Sequence, residues 1–173
     1  MDNGVLYIIG QILGVIAVLV GFLAFQRKTQ LGIVVFECAA AVIFAVHYLL
    51  ISAPTAAALN LLSGCVCVFF AIWNKKQMKG NIWIVINCLL IAVSGVLTWD
   101  SIYSAFLIAG LVFNTVTLSF KNPQNTRKAM LIKSPLCLVY NVAVASVGGV
   151  IFECAVLTSA LIGLIRNGKD NKQ

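Results

Sequence analysis

Four polar side chains that could bind a solute or carry protons lie inside long apolar runs, in two pairs with equal spacing. His47 and Asn60 are thirteen residues apart, and Tyr140 and Glu153 are also thirteen residues apart. An ionisable side chain at the centre of a membrane-spanning helix costs about 2.5–3.5 kcal/mol on insertion scales, so it usually faces a cavity or a polar partner. The pattern therefore predicts a solute-binding pocket formed by these four residues and Asn141.

Whether these groups share one pocket depends on the rotation of each helix, so their convergence is a hypothesis at the level of sequence. The alternative for Glu153, about five residues into its apolar run, is a protonated or helix-bonded structural carboxyl. His47 is the only histidine and could couple protons to transport, because histidine titrates near neutral pH. Its alternative is a hydrogen bond to a neighbouring helix.

A second set of residues lies nearer the opposite ends of the same runs and could control access to such a pocket. Glu37 and Lys133 lie at similar depth in corresponding runs, which predicts an ion pair at an inner gate. The alternative is that Lys133 extends to the lipid phosphates while Glu37 bonds to a nearby hydroxyl or backbone group. Pro135 removes a backbone hydrogen bond and should bend its helix, either as a gating hinge or as a static kink.

Catalysis, metal binding and cofactor binding find no support in the residue pattern. The chain has one histidine, no adjacent nucleophile and base, and no glycine-rich phosphate loop. All six cysteines lie inside apolar runs, where cysteine behaves as a small buried hydrophobe, so we expect neither disulfides nor a zinc site. The expectation is a protein that is not an enzyme and uses no cofactor.

The composition identifies lipid as the solvent of these apolar runs. Of the 173 residues, 61% are hydrophobic and 10% are charged, whereas about a quarter of the residues in soluble domains are charged. Since a spanning helix needs roughly 20 apolar residues, the sequence predicts an all-α polytopic membrane protein with seven transmembrane helices. Charges and turn residues divide the chain into spans at about 4–26, 31–52, 54–74, 80–98, 101–120, 129–147 and 148–167.

The basic residues predict the orientation of these spans. If seven helices alternate in direction, all 12 lysines and arginines fall on the side that carries the C-terminus. The other side carries the N-terminus, Asp100 and uncharged turns. The positive-inside rule then places the C-terminus in the cytoplasm and the N-terminus outside. Topology thus accounts for the net charge of +7 without nucleic-acid binding.

The two polar pairs belong to a longer internal repeat. Spans one to three and spans five to seven each consist of a helix, a basic polar loop and a tight helical hairpin. Two parallel three-span units need one extra crossing between them, which the fourth span provides. The sequence therefore predicts a 3+1+3 arrangement of two triple-helix bundles, at 1–76 and 101–167, with a linker helix at 77–100 and a tail at 168–173.

Several segments of the chain resemble the bacterial inner-membrane YgjV family. The resemblance is carried by His47-Tyr48-Leu49-Leu50, by Asn60, and by the stretch from Asn141 through Ser146-Val147-Gly148-Gly149 to Glu153. It extends over nearly the whole chain and implies a location in the bacterial inner membrane. For this family the resemblance implies a fold and a location and no particular reaction.

The three-one-three plan and Pro123-Gln124 also resemble the wider group of SWEET sugar facilitators and PQ-loop proteins. The first half departs from that pattern, because Thr29-Gln30 stands where a second Pro-Gln pair is expected. The resemblance implies an axial pocket between two triple-helix bundles. It also implies that Asn60 and Glu153 occupy the positions that touch the solute.

These observations favour a small facilitator that moves a polar or neutral solute, such as a sugar, by alternating access between two bundles. The alternative is a non-transporting membrane binding or scaffold protein, since one fold can serve unrelated functions. The expected partners are the lipid bilayer and a small polar solute. One chain already contains both bundles, so a monomer can suffice, and a homo-oligomer is the alternative.

Overall fold

The computed structural model describes residues 3–25, 30–76, 82–117 and 123–170, and these residues form seven helices without a strand. The helices are α1 (Asn3–Phe25), α2 (Gln30–Leu50), α3 (Pro54–Lys75), α4 (Ile82–Leu97), α5 (Ser104–Thr117), α6 (Pro123–Ala143) and α7 (Val147–Asp170). The all-α prediction is therefore confirmed for this part of the chain. The largest difference is at α6, which begins six residues before the predicted span, because proline is well suited to the first turn of a helix.

Three of the described helices are long and apolar enough to cross a membrane by themselves, at Gly4–Ala24, Pro54–Trp73 and Val147–Ile165. Shorter apolar segments lie at Val34–Leu50, Ile82–Leu97 and Ser104–Thr117. The first half of α6 is interrupted by Arg127, Lys128 and Lys133, which lowers its apolar character. The candidate spans lie where the hydropathy of the sequence predicts them.

The bundle has two distinct ends. The turn end carries the start of α1 and the connections 51–53, 98–103 and 144–146, which join α2 to α3, α4 to α5 and α6 to α7. The basic end lies opposite and includes Lys75, Lys76 and Lys128, which are exposed. Short connections make the joined helices antiparallel neighbours, so every helix runs from one end to the other.

Six helices pack in a closed ring, and the fourth lies outside it. Among the described residues, the ring order is α1, α2, α3, α5, α6, α7 and back to α1, while α4 contacts α3 and α5. The buried core includes Phe44, Leu59, Leu107 and Tyr140 of the ring helices and Ile91 of α4. A ring of this kind leaves its axis available for a cavity.

The two tight turns of the ring have the same backbone conformation. Ser52 has a φ of 62° and Ala145 a φ of 52°, and these two non-glycine residues in the left-handed region are 93 positions apart. Such residues are uncommon, and surrounding contacts must hold them in place. The backbone hydrogen bonds also match, since Ala53 N–H donates to Tyr48 O at 2.8 Å and Ser146 N–H donates to Asn141 O at 2.9 Å.

Candidate solute site

A cavity of about 310 Å³ lies inside the ring. It is lined by residues of all six ring helices and of α4, and most of its lining is apolar. The polar and ionisable residues in its lining are Glu37, Tyr48, Asn60, Ser63, Cys67, Asn114, Thr115, Lys133, Cys137, Asn141 and Glu153. A mainly apolar cavity with a few converging polar groups is typical of a small-molecule site.

The central charged feature of the cavity is an ion pair between α6 and α7. Lys133 Nζ lies 2.9 Å from Glu153 Oε1 and 3.3 Å from Oε2, so it donates to both carboxylate oxygens. The two side chains are only 11% and 7% exposed. The predicted ion pair between Glu37 and Lys133 is therefore wrong, because α6 is rotated so that Lys133 faces α7. Lys133 does not extend toward the basic end.

Glu37 lines the same cavity but has a different partner. Cys67 Sγ of α3 donates to Glu37 Oε2 at 2.8 Å, which joins α2 to α3 within the first half of the chain. All six cysteine thiols are free. Among the residues that the structure describes, no three histidine, cysteine or acidic side chains come together in a group that could hold a metal ion.

The cavity ends toward the turn end at a pair of hydrogen-bonded polar side chains. Tyr48 OH donates to Asn141 Oδ1 at 2.6 Å, which joins α2 to α6. A Cβ on Gly149 would lie 2.2 Å from Asn141 Oδ1 and 2.7 Å from Tyr48 OH, so only glycine lets α7 pass this close. Asn60 also lines the cavity, and its Nδ2 donates to the Ala56 carbonyl at 2.9 Å.

His47 and Tyr140 do not line the cavity, so the prediction of one pocket for all four polar residues is wrong for these two. Both are fully buried beyond the Tyr48–Asn141 pair, toward the turn end. His47 Nδ1 lies 2.7 Å from the Gly10 carbonyl, and its Nε2 lies 2.7 Å from Ser146 Oγ. Since a carbonyl only accepts, Nδ1 donates to Gly10, and in the neutral ring Nε2 then accepts from the Ser146 hydroxyl.

The turn after α6 is held by side chains of α1. Gln11 Nε2 donates to the Ala145 carbonyl at 2.7 Å, while Gln11 Oε1 accepts from Val147 N–H at 3.0 Å. Tyr7 OH donates to the same Ala145 carbonyl at 3.2 Å. These bonds satisfy backbone groups that the end of α6 and the start of α7 leave unpaired. The first helix of the chain thus caps the last hairpin.

The turn after α2 is held in the corresponding way by the residues before α5. Asp100 accepts from Thr55 N–H at 3.3 Å and from Tyr140 OH at 2.6 Å. Thr55 Oγ1 donates to the Thr98 carbonyl, and Ser104 Oγ donates to Asp100 Oδ1 at 2.5 Å. We call these residues, with Tyr7, Gln11, His47 and Ser146, the turn-end network. It closes the turn end of the ring above the cavity.

Pro135 is exposed and lies within the continuous helix α6, two residues after Lys133. It has no N–H to donate to the carbonyl four residues earlier, so the α6 ladder is weakened beside the ion pair. The neighbouring Ser134 hydroxyl is buried and has no hydrogen-bond partner among the described residues. The predicted gating role of Pro135 stays a prediction.

Sequence reasoning used Asp100 only as a topological marker and omitted Tyr7 and Ser146 as functional candidates, while Gln11 was considered only as a polar group that lines a solute path or bonds between helices. The position of Asp100 just before a helix start is a usable signal, because acidic residues often accept hydrogen bonds at such places. Gln11 has no comparable signal, since its partners are backbone groups 134 and 136 residues away in the chain.

The family comparison agrees with this fold and its apolar helices. The family model Imp-YgjV, described as a bacterial inner membrane protein, matches residues 8–171. The chain belongs to this family. No curated protein and no solved structure matches it. The resemblance of the sequence to the YgjV family is thus confirmed, and the chain is a member of a family of bacterial inner membrane proteins.

The hydrogen bonds around Asp100 also determine its acidity in this YgjV family member. Burial raises the pKa of the carboxyl, but the bonds donated by Ser104, Tyr140, Thr55 N–H and Ser101 outweigh it and hold the pKa below its usual range. The pKa of Asp100 is lower in the folded chain than in the unfolded chain. Its full contribution to the free energy of unfolding is therefore present at pH values above the ordinary carboxylate pKa. It is lost as the pH falls through the folded pKa.

We expect Asp100→Asn to lower the free energy of unfolding by about 2 kcal/mol at pH 7, because an amide replaces a carboxylate that accepts several hydrogen bonds. The difference from the wild type should shrink below about pH 4, where the wild-type carboxyl also begins to lose its charge. Thermal unfolding of the detergent-solubilised chain measures both effects. Ser101→Ala, which removes one donor at 3.3 Å, is the milder control. If wild type and Asp100→Asn differed equally in free energy of unfolding at pH 7 and below pH 4, the Asp100 carboxylate would not be the source of the effect.

Proposed function

We propose that this chain is a SWEET-like facilitator that moves a small polar or neutral solute, such as a sugar, across the bacterial inner membrane by alternating access. The observation that carries the proposal is a cavity with converging polar side chains inside a ring of helices, closed at the turn end by the turn-end network. A transporter needs a central site with a closure on each side that can open in turn.

An internal two-fold relationship supports the proposal. The turns at Ser52 and Ala145 have similar φ values. Gln11 of α1 caps the turn at Ala145, and Asp100, just before α5, caps the turn after α2. The ring order is also cyclic, since α3 contacts α5 and α7 contacts α1. These features support the proposal of a 3+1+3 arrangement with parallel repeats, with α4 as the linker.

The orientation follows from the charges. Lys75, Lys76, Arg127 and Lys128 lie in helical segments at the basic end, which the positive-inside rule assigns to the cytoplasm. Arg27, Lys28, Lys79, Lys121 and Lys172 contribute to the same argument from the sequence but lie outside the described residues. The turn end would then face outward, with the N-terminus outside and the C-terminus inside.

Alternating access requires the turn-end network to break while a second closure forms near the basic end. Glu37 and Lys133 line the cavity on the side toward the basic end, although each has its own partner, Cys67 and Glu153. We propose that the helices which carry these two links move together near the basic end as the halves rock, and that Pro135 lets α6 bend beside them.

Uptake by proteoliposomes tests the transport function. A panel of labelled sugars and other small neutral metabolites should include a saturable substrate, whose uptake falls at least about tenfold in Glu153→Gln and in Asn60→Ala, because both side chains line the cavity. A tenfold change corresponds to about 1.4 kcal/mol of binding free energy, roughly one lost hydrogen bond to a solute.

Asn87→Ala is the matched control for Asn60→Ala. In both residues Nδ2 donates to the carbonyl four residues earlier, at 2.9 Å in Asn60 and 2.7 Å in Asn87, but Asn87 does not line the cavity. We expect the control to retain uptake. Equal loss in the two variants would assign the Asn60 effect to helix structure. Solute binding without any uptake would favour a non-transporting membrane binding or scaffold protein.

A further inference from the structure

A contribution to folding stability alone is a poor explanation for the Lys133–Glu153 ion pair. Replacing a buried ion pair by apolar residues of similar size is often neutral or stabilising, because desolvation offsets the attraction between the charges. Here both members line a cavity instead of being packed against the core on all sides. An ion pair in this place presents one positive and one negative group to whatever occupies the cavity.

The pair retains hydrogen-bonding capacity beyond its internal contacts. Lys133 Nζ has three N–H donors, and its bonds at 2.9 and 3.3 Å both go to the one carboxylate of Glu153. Each carboxylate oxygen has two lone-pair sites, so Glu153 can accept further bonds. A solute can therefore bind alongside the pair without separating it.

Both members of this ion pair come from the second half of the chain. Glu37 of the first half also lines the cavity, and it accepts a hydrogen bond from Cys67 Sγ at 2.8 Å. The positions 93 residues before Lys133 and Glu153 are Ala40 and Asn60, which line the cavity without a charge. Asn141 lies eight residues after Lys133 on α6, and it lies against Gly149, four residues before Glu153 on α7, so the Tyr48–Asn141 pair is about 6 to 12 Å from the ion pair along the helices. The cavity thus has a charged side and a neutral hydrogen-bonding end.

We propose that the solute is a small zwitterion, with a carboxylate and an ammonium a few bonds apart, which lies antiparallel to the Lys133–Glu153 pair. Its carboxylate accepts from Lys133 and its ammonium donates to Glu153, which completes a ring of four alternating charges. An anion alone is repelled by Glu153, and a cation alone by Lys133. The inference rests on the proposed function and specifies the class of solute for the same site.

Binding to the purified full chain in detergent tests the inference. The zwitterionic probes are L-alanine, β-alanine and 4-aminobutyrate; propionate and propylamine carry one charge, and glucose and glycerol carry none. At least one zwitterion should bind about tenfold more tightly than every singly charged or uncharged probe, in calorimetry and as a shift in Tm. Zwitterions that bind no better than these probes, or a panel in which nothing binds, would overturn it.

Two variants make the test specific. Lys133→Met combined with Glu153→Leu removes both charges together and should lose the preferred zwitterion about tenfold or more, while Asn87→Ala should keep it. A double variant that unfolds normally yet binds the zwitterion unchanged would also overturn the inference.

Uptake separates this inference from the proposed function. Uptake of glucose or glycerol without a preference for zwitterions would refute the zwitterion inference and leave the transport function standing. Zwitterion binding with no uptake would refute transport and support the solute class. Uptake of a zwitterion that competes with its own unlabelled form supports both.

Discussion

Replacing Lys133 with methionine is expected to lower the free energy of unfolding by about 3 kcal/mol, because it leaves the Glu153 carboxylate buried without its partner. Lys133 donates two hydrogen bonds from α6 to the Glu153 carboxylate, and the two side chains are 11% and 7% exposed. Methionine keeps the length and the apolar part of the side chain, so little packing is lost with the charge.

Adding Glu153→Leu to Lys133→Met should recover most of this loss, because the double variant has no unpaired charge left. Urea or thermal unfolding of the two variants in detergent measures the recovery. Lys128→Met, on the same helix but exposed, controls for loss of a positive charge and should change the stability by less than about 0.5 kcal/mol. A double variant as unstable as the single one would show that the pair contributes packing instead of charge compensation.

The helices of this chain could be predicted from sequence because membrane spans depend on local properties. A run of about 20 apolar residues between turns or charges determines a span almost independently of its neighbours. The equal spacing around the two hairpins also anticipated turns that the structure gives nearly equal φ values, at Ser52 and Ala145. Depth within a span follows in the same way, since it is a count of residues.

The partners of the polar side chains could not be predicted, because they depend on the rotation of each helix about its axis. By residue count, Glu37 and Glu153 both lie near the depth of Lys133. Lys133 pairs with Glu153 only because its side of α6 faces α7. Helix rotation also decides that His47 and Asn60 do not share a pocket. His47 faces α1 and the α6–α7 turn, whereas Asn60 faces the cavity. A single sequence contains no direct signal for either choice.

The contact between α1 and α7 depends on two glycines. A Cβ on Gly148 would lie 2.5 to 2.7 Å from backbone atoms of Gly14, distances that real Cβ atoms do not adopt. A Cβ on Gly14 would in turn lie 2.9 Å from the His47 ring. Small residues are the usual means by which membrane helices approach this closely. Here the approach also brings Gln11 to the turn that it caps.

We expect Gly148→Ala to destabilise the chain by about 3 kcal/mol, at the upper end of the usual range for overpacking, because the opposing atoms are backbone and cannot rotate away. Gly4→Ala is a closely matched control, since Gly4 is also the second residue of its helix and has no atom within 4 Å of an added Cβ. Thermal unfolding of both variants in detergent gives the comparison. The α1–α7 contact joins the two halves beside the turn-end network, so Gly148→Ala should also weaken that closure. We therefore expect it to raise labelling of the cavity thiol of Cys67 by a membrane-impermeant maleimide added on the side that the turn end faces. Equal stability of the two alanine variants would contradict the close α1–α7 contact, and unchanged labelling would contradict its part in closing the turn end.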